Sequence, residues 1–93
     1  MGTTNLDGRT ILIIEDEPLI AIDIADAFER VGATVAVAHS LAEARTLEEG
    51  VIICAAIIDF GLRDGDANDL CLRLQQKGVP FVLHSGYDHR GLA

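Results

Sequence analysis

Ninety-three residues give room for one domain with a small core, and 15 acidic against 7 basic side chains leave a net charge of -8. That balance argues against direct contact with nucleic acid, which needs a Lys/Arg surface to displace counterions, and against anchoring on anionic lipid. No basic region followed by an apolar run opens the chain, and no segment reaches the ~18 apolar residues of a membrane span, so a cytoplasmic protein with no membrane partner is expected.

Residues 1–8 read as a flexible polar leader and 9–93 as the domain. Thr10-Ile-Leu-Ile-Ile14 is a β-branched run apolar on both faces and short enough to be a buried parallel strand. It stops at Glu15-Asp16-Glu17. Pro18 suits the first turn of a helix, and Ile20, Ile24, Ala27, Phe28 and Val31 recur at helical spacing up to Gly32. Asp23, Asp26, Glu29 and Arg30 take its other side, with Asp26 and Arg30 one turn apart and able to pair. Thr34 to Ala38 is a second strand. Ser40-Leu-Ala-Glu43 is a capping box opening a helix to about Glu49. A third strand occupies the second half of Val51 to Asp59 and again ends in an acid. After a loop from Gly61 to Gly65, a short helix spans Asn68 to Lys77, with Leu70, Leu72 and Leu74 along it and Gly78 as its stop. Pro80 to His84 is the fourth strand.

Cys54 and Cys71 lie in apolar surroundings without CxxC spacing, which suits buried thiols in a reducing compartment rather than a disulfide or zinc site. Strand alternating with helix implies right-handed crossovers and a parallel sheet covered on both faces. Ligands of such sheets gather at the carboxyl ends of the strands.

Three strands end in polar groups that meet at that rim: Glu15 and Asp16 after the first, Asp59 after the third, Ser85 after the fourth. Clustered carboxylates raise one another's pKa and stay ionised together only beside a compensating cation. Mg²⁺, which takes one or two carboxylates plus waters and phosphate oxygens, fits. A carboxylate beside that ion can attack phosphorus to give an acyl phosphate, the protein's task being alignment and charge neutralisation. Asp59 is the natural nucleophile, Asp16 a direct metal ligand, Glu15 a ligand through water, and Ser85 a donor to a phosphoryl oxygen.

Ile11-Leu-Ile-Ile-Glu-Asp-Glu-Pro-Leu-Ile20, Ile57-Ile-Asp-Phe-Gly-Leu-Arg-Asp-Gly65 and Val79-Pro-Phe-Val-Leu-His-Ser-Gly-Tyr87 resemble, in order and spacing, the first, third and fourth strand-end motifs of the receiver domains of two-component response regulators. The resemblance implies an α/β, flavodoxin-like fold with strand order 2-1-3-4-5 when complete. It makes Asp59 the phospho-acceptor, Glu15 and Asp16 the acidic pair, Gly61 a metal ligand through its carbonyl, and Ser85 the switch hydroxyl. It further implies Mg²⁺ as cofactor, a histidine kinase or histidine phosphotransfer protein as donor, and a signalling module in a phosphorelay rather than a turnover enzyme.

Against that pattern, strands one to four are present and the family's fourth helix, fifth strand and fifth helix have no counterpart in these residues. The family's fifth-strand lysine and upstream aromatic switch residue also lack one, since Lys77 precedes the fourth strand and Tyr87 follows it. The fourth strand therefore becomes a sheet edge, and the expectation is a piece of a longer chain or a homodimer paired through that edge. The rival reading is a degenerate receiver, never phosphorylated, that serves as a protein-protein interaction module. A phosphohydrolase is disfavoured because Gly61 stands where a second acid would act, and a dinucleotide site because no GxGxxG follows the first strand. His39, His84 and His89 read as surface or partly buried structural residues, with His84, beside Ser85, the one placed to sense charge at the rim. Arg63 and Asp64 read as a solvated loop pair.

Overall fold

In the computed structural model, residues 6–59, 61, 62, 65 and 67–84 are described. The strands are β1 (Thr10–Ile14), β2 (Thr34–Ala38), β3 (Ala55–Asp59) and β4 (Phe81–His84), and the helices are α1 (Pro18–Glu29), α2 (Leu41–Gly50) and α3 (Asn68–Gln76). Each strand forms where β-branched and apolar residues run together, and α1 and α2 open just after the capping side chains of Glu17 and Ser40. All strand pairs are parallel, in the order β2-β1-β3-β4. That order is the first four places of the flavodoxin-like arrangement the motifs imply.

Successive strand side chains point to opposite faces, and the two faces have separate cores. Leu12, Ile14, Ala56 and Ile58 pack with Ala44 of α2 and with Leu70 and Leu74 of α3. Ile11 and Ile13 pack with Ile57 and with Ile24, Ala25 and Phe28 of α1. β1 serves both, and its Leu12, Ile13 and Ile14 are fully buried. This explains why the run has no polar alternation.

In α1 the inward stripe is shifted from the expected one. Ala21 is buried and Ile24, Ala25 and Phe28 are half-buried, whereas Ala27 is exposed and Val31 lies beyond the helix end. Ala27 rotates off the stripe that runs through Ala21, Ala25 and Phe28. In α3, Leu70 and Leu74 are buried one turn apart, while Leu72, roughly 200° around the helix from Leu70, is 56% exposed.

The Ser40 cap forms with a variation. The Glu43 N–H donates to Ser40 Oγ at 3.1 Å, but the Glu43 carboxylate accepts from the His39 N–H at 2.7 Å, one residue earlier than in the usual box. Asp26 and Arg30 pair at 2.8 Å on the solvent side of α1. Gly32 takes φ +97°, and a Cβ there would collide with Asp7 Oδ1. The Leu6 N–H donates to the Val31 carbonyl at 2.6 Å, and the Leu6 side chain packs under α1, so the last residues assigned to the leader are docked.

Cys54 and Cys71 are free and half-buried, and burial pushes the Cys71 thiol up. Among the described residues no helix is long and apolar enough to cross a membrane. β4 is the last strand of the sheet in the described residues, with Val82 58% and Leu83 45% exposed.

Candidate functional site

Parallel strands end at a common rim, and the register decides which side chains share it. Ile13 stands beside Ile57, and Ile57 beside Val82. Two residues further along, on the same face by the alternation of strands, come Glu15, Asp59 and His84. Asp59 and His84 are direct register partners. Glu15 follows β1 by one residue, and its N–H still donates to the Ala38 carbonyl at 2.9 Å, which extends the ladder. The sequence thus places three titratable side chains as the last row of the sheet face covered by α1.

Glu15 and Asp59 are both fully buried. Each has one oxygen engaged locally. Glu15 Oε2 accepts from the Glu17 N–H at 3.0 Å, and Asp59 Oδ1 accepts from the Gly61 N–H at 2.9 Å. The other oxygens, Glu15 Oε1 and Asp59 Oδ2, are buried without a hydrogen-bond partner among the described residues, as is His84 Nε2. His84 Nε2 stands 3.3 Å from Glu15 Oε1, at ion-pair distance for a protonated ring and without a hydrogen bond. One ligand atom from each of Glu15, Asp59 and His84 lies within 4.8 Å of the others.

Such an arrangement is costly unless something positive enters it. Burial pushes the Glu15 carboxyl up to about 7, the Asp59 side chain and the Asp16 charge push the same way, and the Glu17 N–H opposes them. A divalent cation removes the conflict, satisfying oxygens left without a hydrogen-bond partner among the described residues. The residues present therefore fit a metal ion, with hard carboxylate oxygens as its principal ligands.

Of the predicted site residues, the structure brings Glu15 and Asp59 together. Asp16 is half-buried and close enough for its charge to act on Glu15, but it is not a member of the three-residue cluster. Gly61 is at the site through its N–H. Ser85, His89, Arg63 and Asp64 lie outside the described residues. His39 sits nearby, with Nδ1 3.2 Å from the Glu15 carbonyl, and is exposed.

Sequence reasoning gave His84 a sensing role and missed its place among the ligand atoms. The signal was available, because β3 and β4 end in step and residues in register share a face. A second buried acid went unread: Glu48 of α2 is held by Arg73 of α3 and by Lys77 Nζ at 2.9 Å. Burial pushes the Glu48 carboxyl up, but hydrogen bonds from Lys77 and Arg73, with their charges, outweigh it and hold it below its ordinary value.

No family model matches the chain. Among curated proteins it is similar to the sensor protein TorS of Escherichia coli (strain K12), 34% identical over 79 residues. That match covers 84% of this chain and 9% of the relative, so the chain spans about a tenth of that protein's length. Among solved structures it is similar to a sensor protein from Polaromonas sp. JS666, with 27% identity and a TM-score of 0.77 over 90% of this chain and 70% of that one. A response regulator receiver domain from Methylobacillus flagellatus aligns with 25% identity and a TM-score of 0.75 over 86% and 71% of the two chains.

Proposed function

We propose, for a chain that belongs to the response-regulator receiver domains, that the Asp59 carboxylate accepts a phosphoryl group with the help of a divalent ion held at the carboxyl rim of the sheet. The observation that carries this reading is the pair of fully buried carboxylates, Glu15 and Asp59, which come within 4.8 Å of each other and of His84 and each keep one oxygen without a hydrogen-bond partner among the described residues. Receiver domains are modules of two-component signalling. The donor is accordingly the phosphohistidine of a histidine kinase or histidine phosphotransfer protein.

Asp59 is suited to the role by its supports. The Gly61 N–H fixes the carboxylate through Oδ1, so that one Asp59 oxygen can face the ion while the other attacks phosphorus. An oxygen–phosphorus bond forms at that oxygen, the bond from phosphorus to the donor imidazole nitrogen breaks, and the nitrogen keeps the electron pair and takes a proton from solvent. Glu15, Asp16 and Asp59, with the Gly61 carbonyl, would hold the ion. When bound, the ion neutralises charge on the phosphoryl oxygens. Ser85 donates to one of those oxygens, which links phosphorylation to the residues that follow β4 in sequence. The module modifies its own aspartate and does not turn over substrate. A second copy of the chain, paired along the β4 edge that the described residues leave unpaired, is its other partner.

Incubation with a small-molecule phosphodonor and Mg²⁺, followed by intact mass spectrometry, tests the proposal. One phosphoryl adduct forms on the unaltered chain and none on Asp59→Ala. An adduct that survives Asp59→Ala overturns the assignment. No adduct on the unaltered chain leaves the degenerate, interaction-only receiver as the better reading.

A further inference from the structure

We infer that His84 Nε2 is a metal ligand, which makes the rim a mixed carboxylate–imidazole site that prefers first-row divalent ions, Zn²⁺ above all, over Mg²⁺. The inference rests on the cation site of the proposed function and concerns which ion that site takes.

Three observations carry it. His84 is in register with Asp59 and so shares its face of the sheet. Its Nε2 lies 3.3 Å from Glu15 Oε1 without forming a hydrogen bond, and it joins Glu15 and Asp59 in one cluster of ligand atoms. Two atoms each bound about 2.1 Å from one ion, at an angle a little above 100°, stand roughly 3.3 Å apart, so this separation suits a shared metal. Finally, Glu15 Oε1 and Asp59 Oδ2 are fully buried and unpartnered among the described residues. His84 Nε2 meets Glu15 Oε1 only at ion-pair distance, and Asp59 Oδ2 keeps no partner among the described residues.

The chemical consequence follows from ligand type. An all-oxygen site suits Mg²⁺, which keeps its waters and gains little from nitrogen. An imidazole nitrogen beside two carboxylates favours ions further along the first-row series, up to Cu²⁺ and Zn²⁺. His84 is also the cluster member nearest solvent, its side chain being 19% exposed against 0% for Glu15. Its ring therefore forms the outer wall of the site and meets an arriving ion first.

Calorimetric titration of the 93-residue chain with MgCl₂, MnCl₂ and ZnCl₂, repeated on His84→Leu and Asp59→Asn, tests this, together with pulsed EPR of the Mn²⁺-loaded unaltered chain. We expect histidine nitrogen hyperfine coupling in the EPR signal, tighter binding of Zn²⁺ and Mn²⁺ than of Mg²⁺, and a loss of about tenfold or more in that preference in His84→Leu. The spectrum of the unaltered chain stands even if a variant fails to fold. Bound Mn²⁺ without nitrogen coupling, or an unchanged preference in a folded His84→Leu, overturns the role of His84 while leaving the cation site intact. Failure of every ion to bind, or binding indifferent to Asp59→Asn, overturns both.

Discussion

At the scale of single residues the sheet rim is a compromise between stability and chemistry. Glu15 is buried with an unsatisfied oxygen, and its carboxyl titrates near 7 rather than near 4.5. In metal-free buffer the folded chain holds that proton more tightly than the unfolded chain does. Stability from Glu15 is therefore full below pH 4.5, falls as pH rises through about 7, and is gone above it. At about 1.4 kcal/mol per pH unit, the loss is at most roughly 3 kcal/mol. Glu15→Gln should abolish this slope. In thermal melts with chelator, the variant should be more stable than the unaltered chain at pH 8 and no more stable at pH 4, and the same variant should bind Mn²⁺ more weakly. A variant less stable at pH 8 would show that Glu15 is not held against its charge. The acidic residues were legible in the sequence because a strand that ends in an acid is conspicuous. The place of His84 beside them was not, because a histidine at a strand end takes its meaning from the neighbouring strand, and only the register supplies that neighbour.

Among the elements, strands were easier to read than helix faces. Thr10–Ile14 and Thr34–Ala38 stand where the apolar runs put them, since a strand buried on both faces announces itself by composition alone. Helix faces depend on a few degrees of rotation, and small residues such as Ala21 and Ala27 carry too little hydrophobic signal to fix it. The clasp between α2 and α3 was also hidden, because Glu48, Arg73 and Lys77 read in sequence as ordinary surface charges. In the fold, Glu48 is 4% exposed and joins the last turn of α2 to the end of α3. Its carboxyl is held below the ordinary value, so the stability it contributes is present above pH 4.5 and is lost as pH falls through its folded value. Glu48→Ala should lower stability by about 1–3 kcal/mol, measured by urea unfolding at pH 7, because it leaves two cations facing each other and a small void against Leu74. The gap between Glu48→Ala and the unaltered chain should narrow in acid. A constant gap down to pH 3 would assign the loss to packing alone.

At the scale of the whole molecule the sheet is asymmetric. β2 is flanked by helices on both faces, whereas β4 presents Val82 and Leu83 to solvent on opposite faces of the same edge. Val82 continues the row of Ile13 and Ile57, and Leu83 stands beside Ile58. Both strand neighbours are core, so β4 extends the hydrophobic surface of the sheet without covering it. Among the described residues this edge has no further strand beside it; an unpaired apolar edge offers its backbone N–H and C=O groups to any similar strand, and the counterpart always at hand is the same strand of a second copy. The 93-residue chain should therefore associate as its concentration enters the micromolar range in sedimentation, and Val82→Lys should shift it toward monomer by placing a charge on that edge. Because the carboxyl end of β4 carries His84, pairing there and ion binding at the rim act on one short strand. Divalent ions should then change the association constant of the unaltered chain and leave that of Asp59→Asn unchanged. A stable monomer at all concentrations, with or without ions, would mean that β4 tolerates its exposed edge and that the rim works independently of it.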